Sequence, residues 1–266
     1  MLVFPSKFSQ LVRTAMTESS IGSALASVRN NISKIHSDFC KNVGLESKEL
    51  PCLIAVSKTK PSTMIEDAHA NGQRDFGENY VQELIEKANE FNNKDGYGDI
   101  RWHFIGKLQR NKVNNLLGAP NLECIQTVES IKLATAINSS CQKKLQPDAK
   151  LKVFAQVNSS GEEAKSGCEP SECSELVRHI ITQCDCLHFE GLMTIGSFSH
   201  DYSAGPNPDF ECLVRCRDQL ESDLELKKED IKLSMGMSND YQQAILAGAT
   251  TVRVGSTIFG QREVKK

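Results

Sequence analysis

The sequence predicts an α/β protein, a single (β/α)8 TIM barrel preceded by an extra N-terminal helix. Three observations predict it. Eight short strand-like runs alternate with helical segments, an order that favours parallel strands joined by crossover helices. Roughly 215 residues follow the first helix, about 27 per strand–helix unit, which is compact but sufficient for a barrel. The competing closure, an open doubly wound sheet, would carry a GxGxxG turn after its first strand if it bound a dinucleotide, and none is present.

The elements follow in order. Residues 1–17 read as an extension, expected to be disordered, and residues 18–262 as the barrel unit. The extension contains Lys7 and Arg13 and no acid before Glu18. It is open to two readings, a mitochondrial presequence or an idle tail upstream of Met16; its apolar part is too short for a secretory signal. A helix over about residues 18–42 places Ile21, Leu25, Val28, Ile32, Ile35 and Phe39 on one stripe. Gly44 and Pro51 mark a link. The strand runs are "CLIAVS", "RDFGE", "RWHFIG", "LECIQT", "LKVFAQVN", "LHFEGLMTIG", "IKLSMG" and "TTVRVGS". Between them, "NYVQELIEKANEF" aligns Val81, Leu84, Ile85 and Ala88, and "PDFECLVRCRDQLESDL" aligns Phe210, Leu213, Val214, Leu220 and Leu224. The helix in "DYQQAILAGA" is short and stops at Gly248. The longest irregular piece is Ser199 to Asp209, and nothing reads as a linker or a second domain.

Composition removes several classes of function. The 266 residues carry a net charge of −3, with 31 Lys+Arg against 34 Asp+Glu. That leaves no broad basic field for nucleic acid or for a membrane surface. No apolar run approaches the ~18 residues of a membrane span. The ten cysteines are scattered with no CxxC pair, Cys184 and Cys186 lie too close for a zinc knuckle, and Cys212 and Cys216 share a helix face. No metal site is expected. The thiols are expected to be reduced, in a reducing compartment.

Barrel active faces are built at strand C-termini. The residues there read Lys58, Gly77-Glu78-Asn79, His103 to Gly106, Thr127, Asn158, Met193 to Gly196, Ser234 to Ser238 and Arg253 to Thr257. Barrels often bind phosphate with the last two loops, here "SMGMSND" and "GSTIFG". Gly236 and Gly255 allow close backbone approach, and Ser238, Ser256 and Thr257 add hydroxyls. Ordinary turn and capping chemistry is the alternative for either loop alone. Arg253, between two valines, needs an acceptor if it points inward: a bound anion, a ring nitrogen, or a carboxylate such as Glu78.

Ile54, Val56 and Lys58 share a strand face, Lys60 extends it, and Pro61 ends it. Lys58 is the deeper lysine. Desolvated beside another cation, it would lose its proton more readily and act as an amine nucleophile, whereas an isolated strand-end lysine is merely solvated. An amine and a phosphate cup on one rim suggest a phosphorylated aldehyde, of which pyridoxal 5′-phosphate (PLP) is the commonest cofactor; the competitor is a Schiff-base aldolase acting on a sugar phosphate. His103 and Asn79 end neighbouring strands and line the same cavity in this reading, although a strand histidine can be a core residue and Asn79 a helix cap. Trp102 reads as packing.

The blocks "AVSKTKP", "FGENYVQE", "WHFIGKLQRNK", "GLMTIGS", "LSMGMSNDYQQAI" and "VRVGSTIFG" resemble the PLP homeostasis protein family, the YggS/PROSC group. That family resembles the N-terminal barrel domain of alanine racemase standing alone, and the likeness runs from about Ala55 to Gly260. It implies that Lys58 is the lysine that takes PLP as a Schiff base. It implies that Met237, Ser238, Gly255 and Ser256 meet the cofactor phosphate, Arg253 the pyridine nitrogen, and Asn79 the side of the ring. The family's phosphate loop often has Gly-Thr where this chain has Gly-Ser, which keeps a hydroxyl.

The arginine has a consequence. It stays charged and cannot readily protonate the pyridine nitrogen, so the ring is a weaker electron sink than one paired with a carboxylate. The given chain ends six residues after Gly260, so the second domain that supplies alanine racemase with its tyrosine acid/base is not expected. The resemblance therefore implies a PLP carrier in vitamin B6 homeostasis with no catalytic residues, or else a weak PLP-dependent amino-acid racemase. The implied partners are PLP and PLP-dependent apo-enzymes, on a cytoplasmic monomer or, through the extension, a mitochondrial one.

Overall fold

A computed structural model describes residues 6–44, 49–162, 165–197, 200 and 205–261, with side chains from residue 21 onward. Its eight strands are β1 (Cys52–Val56), β2 (Asp75–Glu78), β3 (Arg101–Phe104), β4 (Leu122–Val128), β5 (Leu151–Gln156), β6 (Leu187–Met193), β7 (Lys232–Ser234) and β8 (Thr251–Val254). They close into a parallel barrel in chain order, with β8 pairing back onto β1 through Ile54 opposite Arg253 and Ala55 opposite Val254. Each strand falls within one of the eight runs read from the sequence, save that β4 runs one residue further, to Val128. The helices are α1 (Ser6–Val43), α2 (Ser62–Ala70), α3 (Val81–Asn92), α4 (Val113–Leu116), α5 (Ile131–Lys144), α6 (Cys173–Gln183), α7 (Pro208–Leu224), α8 (Tyr241–Leu246) and α9 (Ser256–Phe259).

The extra helix has a structural reason. Among the described residues, the four-residue α9 is the helix that follows β8, too little to cover that strand's outer face. α1 lies against α8, α2 and α9 instead and fills the gap in the helical ring. Ile21, Leu25, Val28 and Ile32 are buried there, as the apolar stripe predicts. Each such side chain contributes about 1.5–3 kcal/mol relative to exposure. Arg29 fixes the rotation by donating to Asn71 O at 2.7 Å and Gln73 Oε1 at 3.0 Å. α1 starts at Ser6, ahead of the expected start near residue 18. The disorder expected over residues 1–17 falls on residues 1–5 and on side chains that lie outside the described ones, as do residues 199 and 201–204 of the predicted long loop.

The main core fills the layer between sheet and helices, where Trp102 packs 5.9 Å from Phe76 and 6.1 Å from Phe91 between ring centroids. A smaller cluster of Cys124, Phe154 and Met193 forms separately from it. No disulfide joins the ten cysteines, all of which lie among the described residues. Among the described residues no group of three or more His, Cys, Asp or Glu is placed to hold a metal, and no helix is long and apolar enough to cross a membrane.

A cavity of about 710 Å³ opens at the strand N-termini, lined by Cys52, Asp75, Arg101, Lys152, Lys232 and Thr251 among others. His103 lines it too, which corrects its expected place beside Asn79. Its Nε2 lies 2.9 Å from Asp75 Oδ1, and Arg101 grips the same carboxylate with two bonds. Lys152–Glu123 and Lys232–Glu190 complete a set of pairs that satisfy one another's charge. This end of a barrel serves stability rather than chemistry. Burial alone would raise the Asp75 pKa, but hydrogen bonds from His103 and Arg101 outweigh it and hold the carboxyl at about 2. A depressed carboxylate stabilises the fold above its unfolded pKa and loses that contribution as pH falls through the folded value. Acid titration monitored by circular dichroism is expected to show about 2 kcal/mol lost between about pH 4 and pH 2, and the loss should be absent in Asp75→Asn.

Candidate functional site

The opposite rim gathers the strand C-termini. β1 ends at Val56, so Lys58 does not continue the strand face as the alternation suggests; it sits in a turn, half-buried. The turn is closed by the Lys60 N–H donating to Ser57 O at 3.0 Å, while Ser57 extends the ladder by donating to Gly77 O at 3.0 Å. Lys60 leaves that face altogether, and its Nζ donates to Gln261 O at 2.9 Å. Between the two lysines, Thr59 has φ +64°, in the left-handed region that costs a non-glycine residue roughly 1–2 kcal/mol.

The seventh and eighth loops meet beside this turn. Gly236 has φ +90°, and a Cβ there would stand 2.5 Å from Ala244 Cβ and 2.9 Å from Tyr241 Cα, so only glycine lets the loop fold back on α8. Met237 donates its N–H to Asp240 Oδ1 at 2.5 Å. Ser238 does not cap the helix that follows it. Its Oγ accepts from Gly255 N–H at 3.1 Å and Thr257 N–H at 3.4 Å, knitting the two loops together next to Ser256. Gly255 in turn lies against β1: a Cβ on it would be 3.3 Å from Val56 Cβ and from Val56 O, two residues before Lys58.

Arg253 is 3% exposed and points inward. It donates to Ser234 Oγ and to Thr194 O, each at 2.7 Å, and Ser234 Oγ donates on to Gln126 Oε1 at 2.7 Å. The carboxylate partner considered for it, Glu78, is engaged elsewhere. Burial pushes the Arg253 pKa down to about 10 against the opposing pull of Asp240, which leaves it charged at neutral pH. Asn79 does not cap α3, whose N-cap is Tyr80 with no side-chain bond. The Asn79 Oδ1 is instead buried with no hydrogen-bond partner. Its carbonyl oxygen occupies the space a Cβ on Gly106 would take, at 1.9 Å, so Gly106 seats the Asn79 backbone.

Sequence reasoning placed Thr194 and Ser234 on the rim without their role under Arg253, and missed Ser57, Glu83 and Lys87 around the lysine turn. Their signals were slight, a polar residue at the end of β7 or just past β6 and a Glu–Lys pair four apart on α3.

Residues 25–263 match the family model of the alanine racemase N-terminal domain. Over 253 residues the chain is 49% identical to the pyridoxal phosphate homeostasis protein of Bos taurus, covering 94% of this chain and 90% of that one. The chain belongs to the pyridoxal phosphate homeostasis protein family. A second member of the family, from Homo sapiens, is 48% identical over 253 residues and covers 94% of this chain and 89% of its own. PipY of Synechococcus elongatus PCC7942, solved with PLP bound, superposes with a TM-score of 0.70 at 29% identity, over 90% of this chain and all of PipY. Alanine racemase from Clostridium difficile 630 shares the barrel alone, at TM-score 0.65 and 16% identity, over 93% of this chain and 58% of that enzyme. The blocks quoted for the family from the sequence therefore marked true membership, and they end strands at the C-terminal rim.

Proposed function

We propose that this chain binds pyridoxal 5′-phosphate, holds it as a Schiff base on Lys58, and serves the intracellular balance of that cofactor without strong turnover. One observation carries the reading: the turn that presents Lys58 and the Ser238–Gly255 junction lie side by side, with Gly255 against Val56. The residues present fit the cofactor. The Ser238 and Ser256 hydroxyls stand at the junction of the last two loops, and the Gly255 and Thr257 N–H groups, which donate to Ser238 Oγ here, would turn to a phosphate bound in their place. Asn79 Oδ1, buried and unpartnered, wants a donor that the protein does not supply. Arg253 is fixed rigidly enough to meet a ring nitrogen. When bound, the cofactor would supply an aldehyde, and Lys58 would supply the amine that meets it.

A permanently charged arginine at the pyridine nitrogen weakens the ring as an electron sink, which supports a carrier over a catalyst. The chain hands PLP to PLP-dependent apo-enzymes and acts as a monomer in the cytoplasm, a compartment that suits ten cysteines with no disulfide among them. The likeness to alanine racemase keeps a second reading, a weak amino-acid racemase. One assay separates them. Purified protein titrated with PLP is expected to gain visible absorbance at one equivalent per chain and to leave L-alanine and L-serine unracemised. Steady racemisation lost in Lys58→Ala would establish the enzyme instead. A colourless protein that borohydride links to a sugar phosphate would establish an aldolase.

A further inference from the structure

The two lysines of the first loop are held differently, and the difference centres on a third. Lys87, on α3, is 7% exposed and spends all three ammonium hydrogens: on Ser57 O at 2.8 Å, Glu78 Oε1 at 2.8 Å and Glu83 Oε1 at 2.7 Å. Ser57 Oγ donates to the same Glu78 oxygen at 2.6 Å. Thr59 N–H donates to the same Glu83 oxygen at 2.6 Å. The residues immediately before and after Lys58 are thus both tied to one buried cation and its two carboxylates. Thr59 reaches this arrangement in a backbone region that a β-branched residue avoids, so the contacts over-determine the turn. Burial favours the neutral form of Glu78 and Lys87 opposes that, so the carboxylate needs its ammonium. Lys60, meanwhile, is drawn toward Gln261.

We propose that Lys87 and Glu83 are positioning residues that lock the Ser57–Lys60 turn, so that Lys58 rather than Lys60 meets the aldehyde of a phosphate-anchored cofactor. The proposal rests on the Schiff base proposed above. Glu83 is the informative site, because it lies at the surface end of the network and its loss leaves the buried Lys87–Glu78 pair intact. In Glu83→Ala, covalent capture of PLP by Lys58 is expected to slow by about tenfold or more, with part of the borohydride-trapped adduct moving to Lys60. Glu83→Gln keeps an acceptor oxygen for Thr59 N–H and should recover most of the rate. Lys87→Met should be slower still, and its melting temperature shows whether it folds. Pyridoxine 5′-phosphate carries the same ring and phosphate without the aldehyde, so its affinity should be unchanged in Glu83→Ala. Wild-type rate and site in Glu83→Ala would overturn the proposal. So would a parallel loss of pyridoxine 5′-phosphate affinity, which would mean that the whole rim had loosened. Absence of a Lys58 adduct in the wild-type protein would instead remove the parent reading, whatever the variants do.

Discussion

Lys58→Ala protein is expected to fold with a melting temperature near that of the wild type and to form no covalent bond with PLP. The two halves of this expectation have separate physical grounds. Lys58 is half-buried on a turn whose geometry is held by its neighbours, through Ser57 O and Thr59 N–H, and not by its own side chain alone. Truncation at such a position costs little, about 1 kcal/mol or less. The bond, in contrast, needs this amine. Lys60, the next lysine along, is turned to Gln261, and Lys87 has committed every hydrogen to acceptors. Neither replaces it. The phosphate cup survives the substitution, so PLP should still associate through its phosphate, reversibly and without the visible band. Equilibrium dialysis against PLP, with absorbance read on the same samples, checks both. A normal visible band in Lys58→Ala would mean that another amine does the work.

Arg253→Met carries the other large effect, on stability as well as on the cofactor. The methionine keeps the apolar volume but removes the donors that satisfy Ser234 Oγ and Thr194 O inside the barrel. Leaving buried acceptors without donors costs about 1–3 kcal/mol each, so a loss of roughly 2–4 kcal/mol is expected in urea unfolding. Arg253→Lys should rescue little of this, because a point ammonium cannot reproduce the fork that reaches the Ser234 hydroxyl at the end of β7 and the Thr194 carbonyl just past β6. The ring nitrogen would also lose its partner, so the visible band of bound PLP should shift and the affinity fall in both variants. Two-state unfolding curves and PLP titrations of both proteins test this directly. A lysine variant equal to the wild type in both would show that charge alone matters at this position.

The barrel was legible because parallel strands buried on both faces leave near-continuous apolar runs, and eight such runs alternated with helical stripes. The stripe on α1 was legible too, yet its purpose was not. That a helix before the barrel closes the ring depends on α9 being only four residues long and on where β8 lies, a fact of three-dimensional order. At the site, the lysine, the two small-residue loops and the inward arginine could be read from their places at strand ends. Errors arose where one residue decides direction. Strand alternation ran Lys60 onto the face of Lys58 because it could not foresee that β1 stops at Val56 and turns through a threonine with positive φ. His103 was set at the wrong mouth because β3 is only four residues long, and a histidine in its third position hydrogen-bonds back to Asp75 at the start of β2. For Asn79 it is the alternative reading, a helix cap, that does not hold: its buried oxygen is unpartnered. Lys87 was not singled out, because a Glu–Lys pair four apart on a helix is ordinarily a surface pair and only the fold turns this lysine inward to the carbonyl of Ser57.

The most direct test reduces the PLP-loaded wild-type protein with borohydride and maps the modified peptide by mass spectrometry. A single pyridoxyl-phosphate adduct on the Lys58 side chain is the result this account predicts. An adduct on Lys60, or a cofactor that washes out with no lysine marked, contradicts it.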